Sequence, residues 1–248
     1  MNIQSKMQHS IKHLQSVDGE AWIGVLDAVY AVSMTLIAVE LPELVRHIAV
    51  LPNNLMGDLM TAKVLLYLLV SYLATFLLFY DVWTVHKTIL RLGGLKRQSQ
   101  NILNGTIMAL SCLAAGNVIL IIKSRQELDT ETLKMVSNAR QLVLHWANAH
   151  WFMWITIFTI FAVMFNLMAR LSSLGVDCSE TNRAKLVQLG RSLDFKVKLI
   201  LLGFFVWAPM LFGYKVFIEP IFMFLAFLVV CFFEEPIIAW WKRRGSHA

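Results

Sequence analysis

The sequence predicts an all-α, polytopic membrane protein with six transmembrane helices. Three observations carry that reading. The 248 residues are 58% hydrophobic and 15% charged, with a mean hydropathy of +0.62, against about 45–50% apolar and about 25% charged in a soluble domain. The apolar residues fall in long blocks such as "VLLYLLVSYLATFLLFY" (64–80), "WFMWITIFTIFAVMF" (151–165) and "LILLGFFVWAPMLFGY" (199–214), and about 20 such residues span a bilayer core. Lys and Arg are unequally shared between alternate connections, with the larger share beside the N-terminus, in 87–97, in 170–198 and in 242–244. The positive-inside rule then places both termini in the cytoplasm.

The six spans are expected at 22–44, 64–86, 101–122, 146–169, 198–217 and 219–241. Pro220 suits the first turn of the last helix, where a missing N–H costs little. Pro209 lies inside the fifth span and is expected to kink it. Residues 172–197 are polar and helical in pattern, so they extend the fifth helix into the cytoplasm. Trp146, Trp151 and Trp154 cluster at the outer end of the fourth span, and Trp22, Trp83, Trp240 and Trp241 lie at inner ends, as an aromatic belt requires. Asn104, Asn117 and Asn166 are expected to hydrogen-bond between helices.

Three regions follow: an amphipathic interfacial segment at 1–19, a six-helix transmembrane domain at 20–241 and a basic tail at 242–248. Ile3, Met7, Ile11 and Leu14 share one helical face in the first of these, which suits a helix lying on the inner leaflet. The first twenty residues are polar, so no cleavable leader is expected. Cys112, Cys178 and Cys231 are odd in number and scattered, which argues against a disulfide framework. The net charge of +6 forms no block dense enough for nucleic acid. His145 and His150 lie five apart and do not form a metal pair on one helix face. No nucleotide, metal or nucleophile motif is present, so neither an enzyme nor a bound cofactor is expected.

The first span, "VLDAVYAVSMTLIAVELPEL" (25–44), is unusually polar for a lipid-facing segment. On a helix advancing about 100° per residue, Ala28, Val32, Thr35, Leu36 and Val39 form one stripe, and Asp27 points about 140° away from Val32. A carboxylate in lipid is expensive and needs a partner. Trp83, Thr84 and His86 on the second span are candidates at matching depth. Asp81, in "LLFYDVW", is a second intramembrane carboxylate, and a Lys or Arg of a neighbouring helix would neutralise it. The stripe has two open readings. It faces lipid or packs against another helix, or it lines the axis of a symmetric oligomer as a hydrophobic constriction.

"LDAVYAVSMTLIAVELP" resembles the first-helix signature of the transmembrane protein 175 family of potassium channels. Asp27 falls on the family Asp, Thr35 on the Thr eight residues later, and Val32 and Leu36 on the constriction positions, with Val39 one turn further and Pro42 after it. "VWTVHKTIL" (82–90) is similar to the family's Trp-x-x-His, which gives Trp83 and His86. The sequence departs from the signature at Ala21, where the family has Arg, and at Val25-Leu26, where it has Phe-Ser. Asp81, Lys87 and Glu20 are possible substitutes in the polar network.

The resemblance implies a homotetramer around four copies of the first helix, in a bilayer, with K⁺ as permeant ion and no cofactor. It implies a constriction at Val32, Leu36 and Val39, a hydroxyl ring at Thr35, and a supporting polar network that includes Asp27, Trp83, His86 and Asp81. Glu40 and Glu43 would draw cations to the outer mouth. The expected setting is a bacterial inner membrane. The competing readings are a proton- or cation-coupled secondary transporter using Asp27, Asp81 and His86 as a relay, and a non-conducting membrane scaffold or effector of the same fold.

Overall fold

The computed structural model describes residues 19–50, 58–95, 97–126, 139–174 and 178–211, together with Leu225, Val229, Phe232 and Phe233. The interfacial segment before Gly19, the basic tail, Glu234 and Glu235 lie outside the described residues. Among those described, every element is a helix and none is a strand. Five helices follow one another: α1 (Gly19–Val50), α2 (Asp58–Gly93), α3 (Gln98–Gln126), α4 (Ala139–Leu174) and α5 (Glu180–Leu211). The sixth expected span falls almost wholly outside the described residues.

α1 to α4 outrun the spans expected of them at both ends, and α5 starts well ahead of its span and is described as far as Leu211. α5 begins at Glu180 and runs unbroken into the apolar stretch, so the polar residues after it do extend the fifth helix. α1 continues through Pro42. By length and composition, Ala21–Glu40, Gln98–Leu120 and Trp151–Ser173 are long and apolar enough to cross a membrane. α2 and α5 are also long, and the side chains of their apolar parts are described only in part.

The helix ends have local causes. Gly94 takes φ +66 just beyond α2, and its N–H donates to Leu90 O at 2.8 Å. A side chain there would meet the left-handed strain that glycine avoids. α3 opens on a capping arrangement in which the Gln100 side chain reaches back to accept from Arg97 N–H at 3.1 Å. Ser179 caps α5 by accepting from Asn182 N–H at 3.2 Å. The Asn182 amide also donates to Leu92 O at 3.4 Å. That bond ties the start of α5 to the end of α2.

α4 packs against both α3 and α5, and α1 packs against α2 and α3. α2 also touches α4 and α5. The core is one cluster drawn from all five helices, including Leu26, Tyr30, Leu78, Phe79, Ile107, Phe161, Met164, Leu193 and Ile200. On α5 the fully buried row Leu186, Leu193, Ile200 repeats every seven residues, the seam spacing of left-handed helix packing. Ala114 and Ala115 on α3 are buried, and their small size suits a close approach between helices.

Two interfacial expectations are corrected here. Trp151 and Trp154 are 5% and 7% exposed, and Trp151 meets Phe204 edge-on at 3.9 Å. They pack inside the bundle rather than forming a belt, because α5 covers that side of α4. Asn166 accepts from Arg170 on its own helix at 3.0 Å, not from a neighbour, since it lies on an exposed face. Asn117 does reach across, donating to Thr156 at 3.2 Å.

Candidate functional site

α1 divides cleanly into two faces. Leu26, Tyr30, Ser33 and Ile37, spaced four, three and four apart, are buried against the other helices. On the opposite side Val25 is 48% exposed, Val32 60%, Leu36 50% and Val39 65%, and Ala28 and Thr35 are exposed beside them. Val25, Val32 and Val39 recur every seven residues, so they stay in line along the helix. The stripe read from the sequence is therefore a bare apolar surface of the single chain.

Thr35 interrupts that surface with a hydroxyl of defined polarity. Its O–H donates to Ala31 O at 2.7 Å. The proton is turned inward along the helix, and the remaining lone pairs of the oxygen are free to meet a cation. Glu40 is half-buried further along the same helix. The side chain of Glu43 lies outside the described residues.

The polar residues of α1 and α2 sort into three groups. In the first, Asp27 accepts from Trp83 Nε1–H at 2.7 Å and from Lys87 Nζ at 2.9 and 2.7 Å, one oxygen each. The Lys87 ammonium also lies over the Trp83 ring, 4.7 Å from its centroid. Trp83 and Lys87 are one turn apart, so they close on one carboxylate from the same face of α2. Thr84 is not part of this group; its hydroxyl bonds Tyr80 O on its own helix.

His86 belongs to the second group, apart from Asp27. It is fully buried, with Nε2 2.8 Å from Asn104 Oδ1 and Nδ1 3.3 Å from the Tyr30 hydroxyl. The carboxamide oxygen can only accept, so Nε2 carries the proton and Nδ1 accepts from Tyr30. Tyr30 also lies 2.9 Å from Ser111 Oγ. This chain stitches α1, α2 and α3 together. Replacing Asn104 with Leu would strand the His86 N–H in the core at a cost of about 1–3 kcal/mol. Thermal unfolding in detergent is expected to register that loss, and Asn104→Gln to recover part of it.

Asp81 forms the third group. Both of its oxygens accept from Lys196 Nζ of α5, at 2.9 and 2.8 Å. The two side chains are 13% and 4% exposed. The structure thus brings Asp27 and Trp83 together and places His86 and Asp81 elsewhere.

Lys196, Tyr30 and Ser111 escaped the sequence reading as site residues. Lys196 did carry a signal. It falls on the row of Leu193 and Ile200, three residues after one and four before the other, and a cation on an apolar row demands a buried acid. The Arg-for-Ala21 and Ser-for-Leu26 departures acquire a local account here. Leu26 fills core space, and the cation beside Asp27 comes from Lys87 of the neighbouring helix. Among the described residues no three His, Cys, Asp or Glu are grouped to hold a metal ion.

Residues 23–115 match the family model described as endosomal/lysosomal potassium channel TMEM175. That segment is similar to the TMEM175 family. The match takes in most of α1, all of α2 and α3 as far as Ala115, so the apolar stripe and the Asp27 and His86 groups lie within it. No curated protein and no solved structure matches the chain. TMEM175 is a family of potassium channels and not of enzymes. Among the described residues every element is a helix, and three helices are long and apolar enough to cross a membrane.

Asp27→Asn separates the two faces of α1. The carboxylate points at Trp83 and Lys87 and not into the stripe. Its loss is expected to lower the yield of folded, assembled protein, at about 1 kcal/mol for a pair so partly exposed, while ion preference stays near that of the parent. Size-exclusion profiles and bi-ionic fluxes measured side by side check this. A well-assembled variant with altered ion preference would contradict the geometry.

Proposed function

We propose that the protein is a homotetrameric, potassium-permeable channel whose α1 helices line the conduction path. Four copies of Val32, Leu36 and Val39 form a hydrophobic constriction, which gates by holding or losing water. Four Thr35 oxygens offer a polar ring to a partly dehydrated K⁺. Glu40 and Glu43 raise the local cation concentration at the outer mouth. Both termini lie in the cytoplasm of a cell with a bacterial-type inner membrane, as the Lys and Arg distribution supports.

One observation carries the reading. Within the segment that matches a potassium-channel family, the first helix buries one face in the bundle and leaves a continuous apolar stripe with a single outward-facing hydroxyl oxygen unpacked. The anchoring of the opposite side by Asp27, Trp83 and Lys87 gives the stripe a fixed heading.

The transporter reading needs Asp27, Asp81 and His86 to pass a proton or cation among themselves. They sit in three separate groups, which weighs against a relay. The scaffold reading shares the fold and differs only in conduction.

Flux from liposomes holding the purified protein tests the proposal, with K⁺ and Na⁺ gradients in separate preparations. Electrogenic K⁺ movement that exceeds Na⁺ movement is expected. Folded tetramers silent across pH and voltage would favour a non-conducting scaffold, and stoichiometric proton movement would favour a carrier.

A further inference from the structure

The Asp81–Lys196 pair joins α2 to α5. α5 packs chiefly on α4, and its contact with α2 is slight. Yet at that light contact the chain places two nearly buried charges, with Lys196 Nζ 2.8 Å from the carboxylate and 5.8 Å from the centre of the Phe161 ring of α4. Two apolar side chains would fill the same space without the desolvation penalty of a buried pair. What the pair adds is a unique register, because both carboxylate oxygens meet one ammonium.

α2 carries a second ion pair on another side. Lys87 lies six residues beyond Asp81, about 9 Å along the helix and about 120° around it. There it holds Asp27 of α1. The charges therefore form a series: Lys196 of α5 to Asp81 of α2, then Lys87 of α2 to Asp27 of α1. At 32 residues, α5 is about 48 Å long against a bilayer core of about 30 Å. Its first half, from Glu180, is the more polar.

We propose that Lys196 is a positioning residue of the conduction path: through Asp81 it sets α2 against α5, and through α2 it sets the heading of the α1 stripe. The inference rests on the channel reading for its consequence in flux. Its structural half, the position of α1 relative to α5, stands apart from conduction and is measured separately.

The decisive variant is Asp81→Asn/Lys196→Met. It leaves no unpaired buried charge, so a role in stability alone predicts a wild-type protein. The test uses the full chain in liposomes, with Cys112, Cys178 and Cys231 replaced by Ala. Spin labels are placed at Val25→Cys on α1 and Val187→Cys on α5, both exposed, and labelled subunits are diluted with unlabelled ones. The distance distribution is read by pulsed electron resonance, and K⁺ and Na⁺ fluxes are taken on the same Asp81 and Lys196 variants with Val25, Val187 and the native cysteines left in place.

The proposal expects the double variant to fold, to show a shifted or broadened α1–α5 distance and to change its K⁺ to Na⁺ flux ratio. Lys196→Arg, which keeps the charge and the pair, is expected to retain the parent's distance and flux ratio. A double variant with wild-type distances and a wild-type flux ratio would overturn it. If the parent protein itself carries no K⁺ flux, the channel reading fails and the label distances alone decide: a displaced α1 upholds the positioning role, and an unmoved α1 ends it.

Discussion

Leu36→Ala is expected to raise K⁺ conductance about tenfold. Leu36 is half exposed on the bare face of α1, between Val32 and Val39. In a fourfold assembly one substitution removes four isobutyl groups from one level of the path. Space and water replace them, and a hydrophobic gap that excluded an ion now admits it. A barrier lower by about 1.4 kcal/mol corresponds to about tenfold in rate. Single-channel recording of the variant against the parent gives the ratio directly. An unchanged current would mean that Leu36 faces lipid or a neighbouring helix, and the stripe assignment would fall. Folding should be little affected, since Leu36 makes no part of the buried cluster.

The largest loss of stability is expected from Lys196→Met. The ammonium is 4% exposed and its partner carboxylate 13%, so the substitution leaves Asp81 as an unpaired buried charge. Breaking such a pair costs about 3–5 kcal/mol. Adding Asp81→Asn removes the orphaned charge, and most of the loss should return. Thermal or denaturant unfolding in detergent micelles, run on the parent, the single variant and the double variant, measures both numbers. A single variant as stable as its parent would show that the pair contributes nothing to folding.

How far these features were legible from residues alone depends on what kind of pattern carried them. The two-faced character of α1 was legible because a helix repeats its faces every three to four residues, and Leu26, Tyr30, Ser33 and Ile37 obey that spacing against Val25, Val32 and Val39. The approach of Trp83 to Asp27 followed from depth, since both lie near one end of adjacent antiparallel helices. His86 shares that depth, but depth does not tell which way a ring turns. It sits three residues from Trp83, about 60° away around α2, and so reaches α3 and Tyr30 instead.

Lys87 entered only as a substitute for the missing Arg, because a cation next to an interface ordinarily snorkels to water. Trp151 and Trp154 misled for the same reason in reverse. Tryptophan near a span end usually marks the interface, but α5 covers them here and Phe204 takes the contact. Asp81 was recognisable as a carboxylate in need of a cation. That its partner is Lys196, 115 positions away, depends on how α5 returns to α2. No local spacing encodes that return.

The central claim is that the α1 stripe faces a water-filled ion path. Cysteine accessibility during conduction tests it most directly. In a background with the native cysteines replaced, Val32→Cys, Leu36→Cys and Val39→Cys are compared with Leu26→Cys and Ile37→Cys on the buried face. Each is challenged with a charged, membrane-impermeant thiol reagent while K⁺ flux is followed. The stripe positions should react and lose flux, and the buried positions should stay unmodified. Flux that persists with all three stripe cysteines unreactive would place that face in lipid and contradict the account.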